Sequence, residues 1–226
     1  MRNGDAMLTH RVLSAFLCYP APELKGAAKQ GERILGEEKL LPAKQIAGVC
    51  DFVDWLLQTP QLAVEAAYID AFDRGRSTSL HLFEHIHGES RARGEAMHRL
   101  LLRYRAHGLE LQAGELPDFL PLFLEFLSTR SAREAARHLA EVVDIVALIG
   151  RRLRQRGAPH AALLEAIASL VEIGAQNSAG LAEENKERDD TPAALDAAWE
   201  EAPVTFTDTQ PLGNAGLPLA LNRMQP

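Results

Sequence analysis

The sequence predicts an all-α protein: a single helical bundle of about eight or nine helices over residues 1–176, then an acidic, Pro-rich tail over 177–226. Three observations carry that expectation. Apolar residues recur at spacings of three and four along nearly all of the first stretch, the period of a one-sided helix. No segment sustains period-two alternation, and no hairpin-type turn dipeptide joins two such runs. With 46% apolar residues in 226, the chain can bury one core and carry an appendage.

The elements follow in chain order. Ile46, Val49, Phe52, Val53 and Leu56 form one stripe between Pro42 and Thr59-Pro60. Thr59 is suited to cap the next helix, and Pro60 to open it, because the first helical N–H is unsatisfied in any case. That helix presents Leu62, Ile69 and Phe72 and runs out at Asp73-Arg74-Gly75. Met97, Leu100, Leu101 and Tyr104 form the next stripe, ending at His107-Gly108. Pro117 fits a helix start, and Pro121 predicts a tight or kinked opening. From Phe119 to Leu127 the residues are apolar almost all round, which predicts the central core helix.

Ser131 and Glu134 have the spacing of a capping box, opening a long helix with Leu139, Val142, Val146, Ile149 and Leu153 inward. Arg151, Arg152, Arg154 and Arg156 crowd its last turns before Gly157. Cations offset the helix dipole there, and a solvated helix end is the expectation. A last apolar helix spans roughly 159–175.

Composition narrows the class of function. No run approaches the eighteen or so apolar residues of a membrane span, so direct membrane insertion is not expected. Met1-Arg2-Asn3-Gly4-Asp5 has no secretory pattern, and the expected compartment is the cytoplasm. A net charge of −7 argues against nucleic acid as partner. The charge is uneven: 177–226 carries nine acids and three bases, whereas 74–107 holds seven arginines, three glutamates and five histidines. The acidic tail is therefore expected to lie against the basic middle and compete with a partner there. Within the tail, Trp199, Val204 and Phe206 mark a docking island over 199–206. Cys18 and Cys50 read as two buried thiols.

The densest reactive cluster is His81-Leu82-Phe83-Glu84-His85-Ile86-His87. His81-x-x-Glu84-His85 has the form of an inverted zinc-peptidase motif. On a helix it would set two imidazoles on one face, so a zinc-dependent hydrolase is the enzyme alternative. No third ligand is marked, and no nucleophile elbow or phosphate-cradling loop accompanies it. Arg91 and Arg93 fall in the first turn of a helix capped by Ser90, against its dipole, and call for a compensating acid, internal or supplied by a partner.

Longer runs resemble a known family. Tyr68-Ile69-Asp70-Ala71-Phe72-Asp73 and the stretch 79–97, from Ser79-Leu80-His81 to Glu95-Ala96-Met97, are similar to the signature of the NarJ family, the molybdenum-cofactor assembly chaperones of respiratory nitrate reductase. Glu115-Leu116-Pro117-Asp118 resembles the Glu-x-Pro-Asp element of the wider redox-enzyme maturation chaperone group. Leu17-Cys18-Tyr19-Pro20 resembles the end of the family's first helix, and 199–206 its C-terminal motif. The resemblance implies a non-catalytic protein with no cofactor of its own. It would bind the apo catalytic (alpha) subunit of nitrate reductase, chiefly by the N-terminal peptide of that subunit. It would hold the subunit for molybdenum cofactor and iron–sulfur cluster insertion before membrane docking, with the molybdopterin cofactor delivery machinery as a further partner. A helical adaptor for another molybdoenzyme is the remaining alternative. The candidate partner-binding residues are Tyr68, Phe72, Asp73, Leu80, His81, Phe83, Glu84, His85 and His87, then Arg91, Arg93, Glu115, Pro117 and Asp118.

Overall fold

Apolar stripes at helical spacing need one another for cover, and in the computed structural model they find it in a bundle. Residues 8–87, 91–111 and 114–171 are described. They form ten α-helices and one 3₁₀ turn: α1 Leu8–Leu17, α2 Pro22–Glu38, α3 Ala43–Gln58, α4 Gln61–Phe72, the 3₁₀ turn Arg76–Thr78, α5 Glu84–His87, α6 Arg91–Ala106, α7 Leu120–Ser128, α8 Ala132–Ala140, α9 Val143–Gln155 and α10 Ala161–Ser169. Among the described residues the only extended pairing is an isolated antiparallel bridge between His81 and Phe119. No described helix is long and apolar enough to cross a membrane.

The all-round apolar run sits at the centre, as expected. Leu120, Phe123, Leu124, Phe126 and Leu127 are essentially inaccessible. α1 lies along α7, with α2 and α10 against its other sides, and α10 bridges α9 and α3. The Ser14 hydroxyl donates to the Pro121 carbonyl at 2.7 Å inside the α1–α7 contact, so burying it costs little. Gly150 lets α9 and α10 approach closely: a Cβ there would meet the Leu164 Cβ at 3.1 Å.

Several expectations shift in detail. Proline opens α7 from its second position, Pro121, while Pro117 lies in the turn before it. Pro60 takes the N-cap of α4 itself, one place earlier than expected. On α4 the buried residues are Val64, Tyr68, Ala71 and Phe72, while Leu62 is 79% exposed and Ile69 is exposed. Two stripes of helical spacing competed there, and the one carrying two aromatic rings buries more surface.

The capping box forms, with the Ser131 hydroxyl accepting from the Glu134 amide and the Glu134 carboxylate from the Ser131 amide. The helix it opens is not continuous. α8 stops at Ala140 and α9 starts at Val143, with Val142 out of helical geometry at φ −127°, ψ 0°; Glu141 beside the break pairs with Arg103 at 2.9 Å and His138 at 3.2 Å. Nor is the arginine-rich end of α9 simply solvated. Arg154 grips Glu165 in a two-pronged pair at 2.8 and 2.7 Å. Arg152 donates to the Ser77 carbonyl, and Arg156 to the Ser77 and Thr78 hydroxyls, which ties down the 3₁₀ turn. Cys18 is exposed and Cys50 half-buried, both as free thiols, so the expected burial of both is wrong. α10 ends at Ser169, and the expectations for 172–226 lie outside the described residues.

His160 opens α10 and is 2% exposed, boxed by the rings of Phe52, Trp55, Tyr68 and Phe72 at centroid distances of 5.2–6.0 Å. Its Nδ1 has no hydrogen-bond partner. Burial holds its pKa down to about 4, and buried His10 is likewise held at about 4, by burial acting against the charge of Glu38. Both are neutral when folded but take a proton near pH 6.5 when unfolded. Their stabilisation is therefore complete above about pH 6.5 and is lost as pH falls toward 4. Urea unfolding at pH 7.5 and 5 is expected to show a loss of about 2 kcal/mol from His160 alone, and His160→Phe should remove that share of the slope. An unchanged slope in the variant would refute the assignment.

Candidate functional site

After the 3₁₀ turn the chain bends at Leu80, bridges at His81 to Phe119 in the segment entering α7, and turns at Leu82 and Phe83. The Leu82 amide donates to the Asp118 carbonyl at 3.0 Å, and the Leu120 amide to the Leu80 carbonyl at 2.9 Å. Between them lies the fully buried carboxylate of Asp118. It accepts from the Phe83 amide at 3.2 Å and faces His81 Nδ1 at 3.4 Å and Arg93 Nη2 at 3.5 Å. Arg93 also pairs with Glu84 at 3.2 Å. Burial alone would raise the Asp118 pKa. The hydrogen bonds from His81 and Phe83 and the charges of His81 and Arg93 outweigh it, leaving the carboxyl below its ordinary range.

This geometry disposes of the zinc-peptidase pattern. His81 is in the bridge, not in α5, so it shares no helical face with His85. His85 Nε2 donates to the Ser79 carbonyl at 2.9 Å, and His81 turns to Asp118 while its ring packs on Phe119. Among the described residues no group of three His, Cys, Asp or Glu side chains is placed to hold a metal ion. The acid that Arg93 called for is internal, supplied by Glu84 and Asp118. Among the described residues Arg91 has a long contact to Glu95 at 3.9 Å. Ser90 lies outside the described residues.

The sequence-predicted site residues divide in two. Tyr68, Phe72, Leu80, Pro117 and Asp118 are buried and form framework. The Tyr68 hydroxyl donates to the Leu17 carbonyl, and the Tyr104 hydroxyl to that of Pro117, so the motif is knitted into its neighbours. Asp73, Arg91 and Glu115 are exposed, and His81, Phe83, Glu84, His85, His87 and Arg93 are partly so.

Beside Glu115 the structure has a pocket of about 230 Å3 between the end of α6, the following loop and α7, and of its lining residues only Glu115 is among the sequence-predicted site residues. Leu109, Leu111, Leu122 and Phe126 line it with apolar surface, and Glu110, Glu115 and Glu125 supply carboxylates. The end of α1 adjoins this acidic rim. The Cys18 thiol pKa is pushed up by burial and then by the charges of Glu125 and Glu115, and Tyr19, 51% exposed, meets the Glu65 carboxylate. Glu125 was the available signal, as a single carboxylate in an otherwise apolar run. Chemically, the arrangement offers an apolar floor under negative charge.

Residues 42–166 match the family described as nitrate reductase delta subunit. The chain belongs to that family. It is 40% identical over 208 residues to the nitrate reductase molybdenum cofactor assembly chaperone NarJ of Escherichia coli strain K12, covering 91% of this chain and 88% of that protein. It is 48% identical over 159 residues to the probable assembly chaperone NarW of the same organism, covering 70% and 69%. A probable NarJ of Bacillus subtilis is 27% identical over 186 residues, covering 79% and 96%. The resemblance to the NarJ family is thereby borne out, and these delta-subunit relatives are named as assembly chaperones, not as catalysts.

In this family member the Asp118 knot should behave as one electrostatic unit. Asp118→Asn keeps the shape but strips Arg93 and His81 of their buried counter-charge and sets an amide against the Phe83 N–H. A loss of roughly 3 kcal/mol in urea unfolding at pH 7.5 is expected. Because the carboxyl pKa is depressed, the wild type keeps this contribution above the ordinary carboxylate range and loses it only as pH falls below that range. A variant equal to wild type at pH 7.5 would show that the knot is energetically neutral.

Proposed function

We propose that this chain is an assembly chaperone for respiratory nitrate reductase, acting in the cytoplasm. It binds the apo catalytic subunit, mainly by that subunit's N-terminal segment. It holds the subunit for molybdenum cofactor and iron–sulfur cluster insertion, and delays membrane docking until loading is complete. The names of its relatives support the assembly role. The observation that carries the peptide reading is the carboxylate-rimmed apolar pocket between α6 and α7. An amphipathic helix would set apolar anchors on Leu122 and Phe126, with its own cations facing Glu110, Glu115 and Glu125. Steering by those charges speeds encounter, and the apolar floor supplies most of the affinity. The protein itself needs no cofactor for this work.

Isothermal titration with a peptide from the N-terminus of the cognate catalytic subunit is expected to show saturable binding. Glu115→Gln with Glu125→Gln should weaken it about three- to tenfold, since exposed ion pairs contribute up to about 1 kcal/mol each. Leu122→Asp should abolish it. Absence of binding by both the peptide and the whole apo-subunit would sink the proposal.

A further inference from the structure

On the opposite side of α6 lies a second recess with the reverse charge. It has a volume of about 200 Å3, and Phe83, Ile86, Leu100 and Val142 supply its apolar surface. His87, Arg99 and Arg103 stand around it, with Glu141 as its single acid. Glu141 is already engaged by Arg103 and His138. Arg99 is exposed and has no carboxylate within ion-pair distance among the described residues. One wall is unfinished: α5 is four residues long, none of them buried, and Ile86 is 53% exposed. So short a helix is marginal without tertiary cover.

We propose that this recess is the docking site of the chain's own 199–206 segment, Trp199-Glu200-Glu201-Ala202-Pro203-Val204-Thr205-Phe206, which lies outside the described residues. The chemistry of the segment is the complement of the recess. Trp199, Val204 and Phe206 are apolar anchors, and Glu200 and Glu201 between them bring two negative charges to the arginine side of the recess at Arg99. Reach is ample. Twenty-seven residues lie between Val171 and Trp199, and an extended chain of that length spans up to roughly 95 Å.

Charge also separates this recess from the acid-rimmed pocket. The pocket rimmed by Glu110, Glu115 and Glu125 repels an acidic segment. The α1–α2 groove, lined by Val12, Phe16, Leu24 and Ile34, also carries one arginine, Arg11, so the choice against it rests on the exposed α5 wall of the recess. Docking covers Ile86 and Phe83 and gives α5 the packing it lacks. The inference does not depend on which client the protein serves.

Hydrogen–deuterium exchange on the full chain tests it. In the combined variant Trp199→Ala, Val204→Ala, Phe206→Ala, amides of 84–87 and 96–103 are expected to exchange at least several-fold faster, while those of α9 and α10 stay unchanged. Arg99→Glu should give the same pattern, and adding Glu200→Arg and Glu201→Arg should restore protection. Unchanged exchange at 84–87 and 96–103, or faster exchange confined to the α1–α2 groove, would overturn the docking site. Protection that fades on dilution of the wild type would also overturn it, by assigning the recess to a second copy of the chain.

Discussion

A single carboxylate organises the middle of this molecule. Asp118 lies fully buried between the turn after the 3₁₀ helix and the entrance to α7, where an isolated charge would be prohibitive. It is tolerable because three donors converge on it, from the Phe83 backbone, the His81 ring and the Arg93 guanidinium. The position of each donor follows from its own constraint. His81 is in the two-bond bridge to the α7 entrance, and Arg93 is anchored on its other prong by Glu84. Around this knot the start of α7 is fixed, and with it the register in which its apolar face meets α1.

The knot also sets the geography of the surface. α6 and α7 diverge from it, and each side of α6 closes a recess with an apolar floor. One is ringed by Glu110, Glu115 and Glu125, the other by His87, Arg99 and Arg103. Opposite charges on two recesses of one helix pair make each selective by repulsion as well as attraction. The histidines and arginines that make the central sequence look catalytic are mostly spent on structure, yet their side chains leave one face positive. A cluster of reactive residue types is therefore compatible with a protein that only binds.

Much of this was legible in the sequence, and the failures have physical causes. The all-round apolar run of α7 and the Ser131–Glu134 box were readable because both signals are local. The family was readable from long contiguous motifs. His81 and His85 misled because a five-residue pattern assumes a helix, whereas the chain reaches His81 in an extended conformation imposed by a strand-like partner 38 positions away. The α8–α9 break carries no proline or glycine at its centre. It sits at Val142, whose apolar side chain keeps the helical spacing while its backbone leaves helical geometry, which periodicity does not register. Leu62 and Ile69 read as core because they are apolar at the right spacing, but Tyr68 and Phe72 had the larger area to hide. The acid-rimmed pocket combines residues from α6, a loop and α7, and no single window of sequence contains it.

The pairing of α1 with α7 bears on how the chain is made. Ser14 and Pro121 touch across 107 residues of sequence. α1 emerges first, and the end of α2 can already cap it, since the Glu38 carboxylate accepts from the Leu8 and Thr9 amides. The face bearing Leu13 and Leu17 has no lasting cover until α7 has been synthesised. The α1–α7 contact is non-local, and its formation waits on late contacts as strand pairing in a β-protein does. All of the chain between α1 and α7 must leave the ribosome before α1 is sealed.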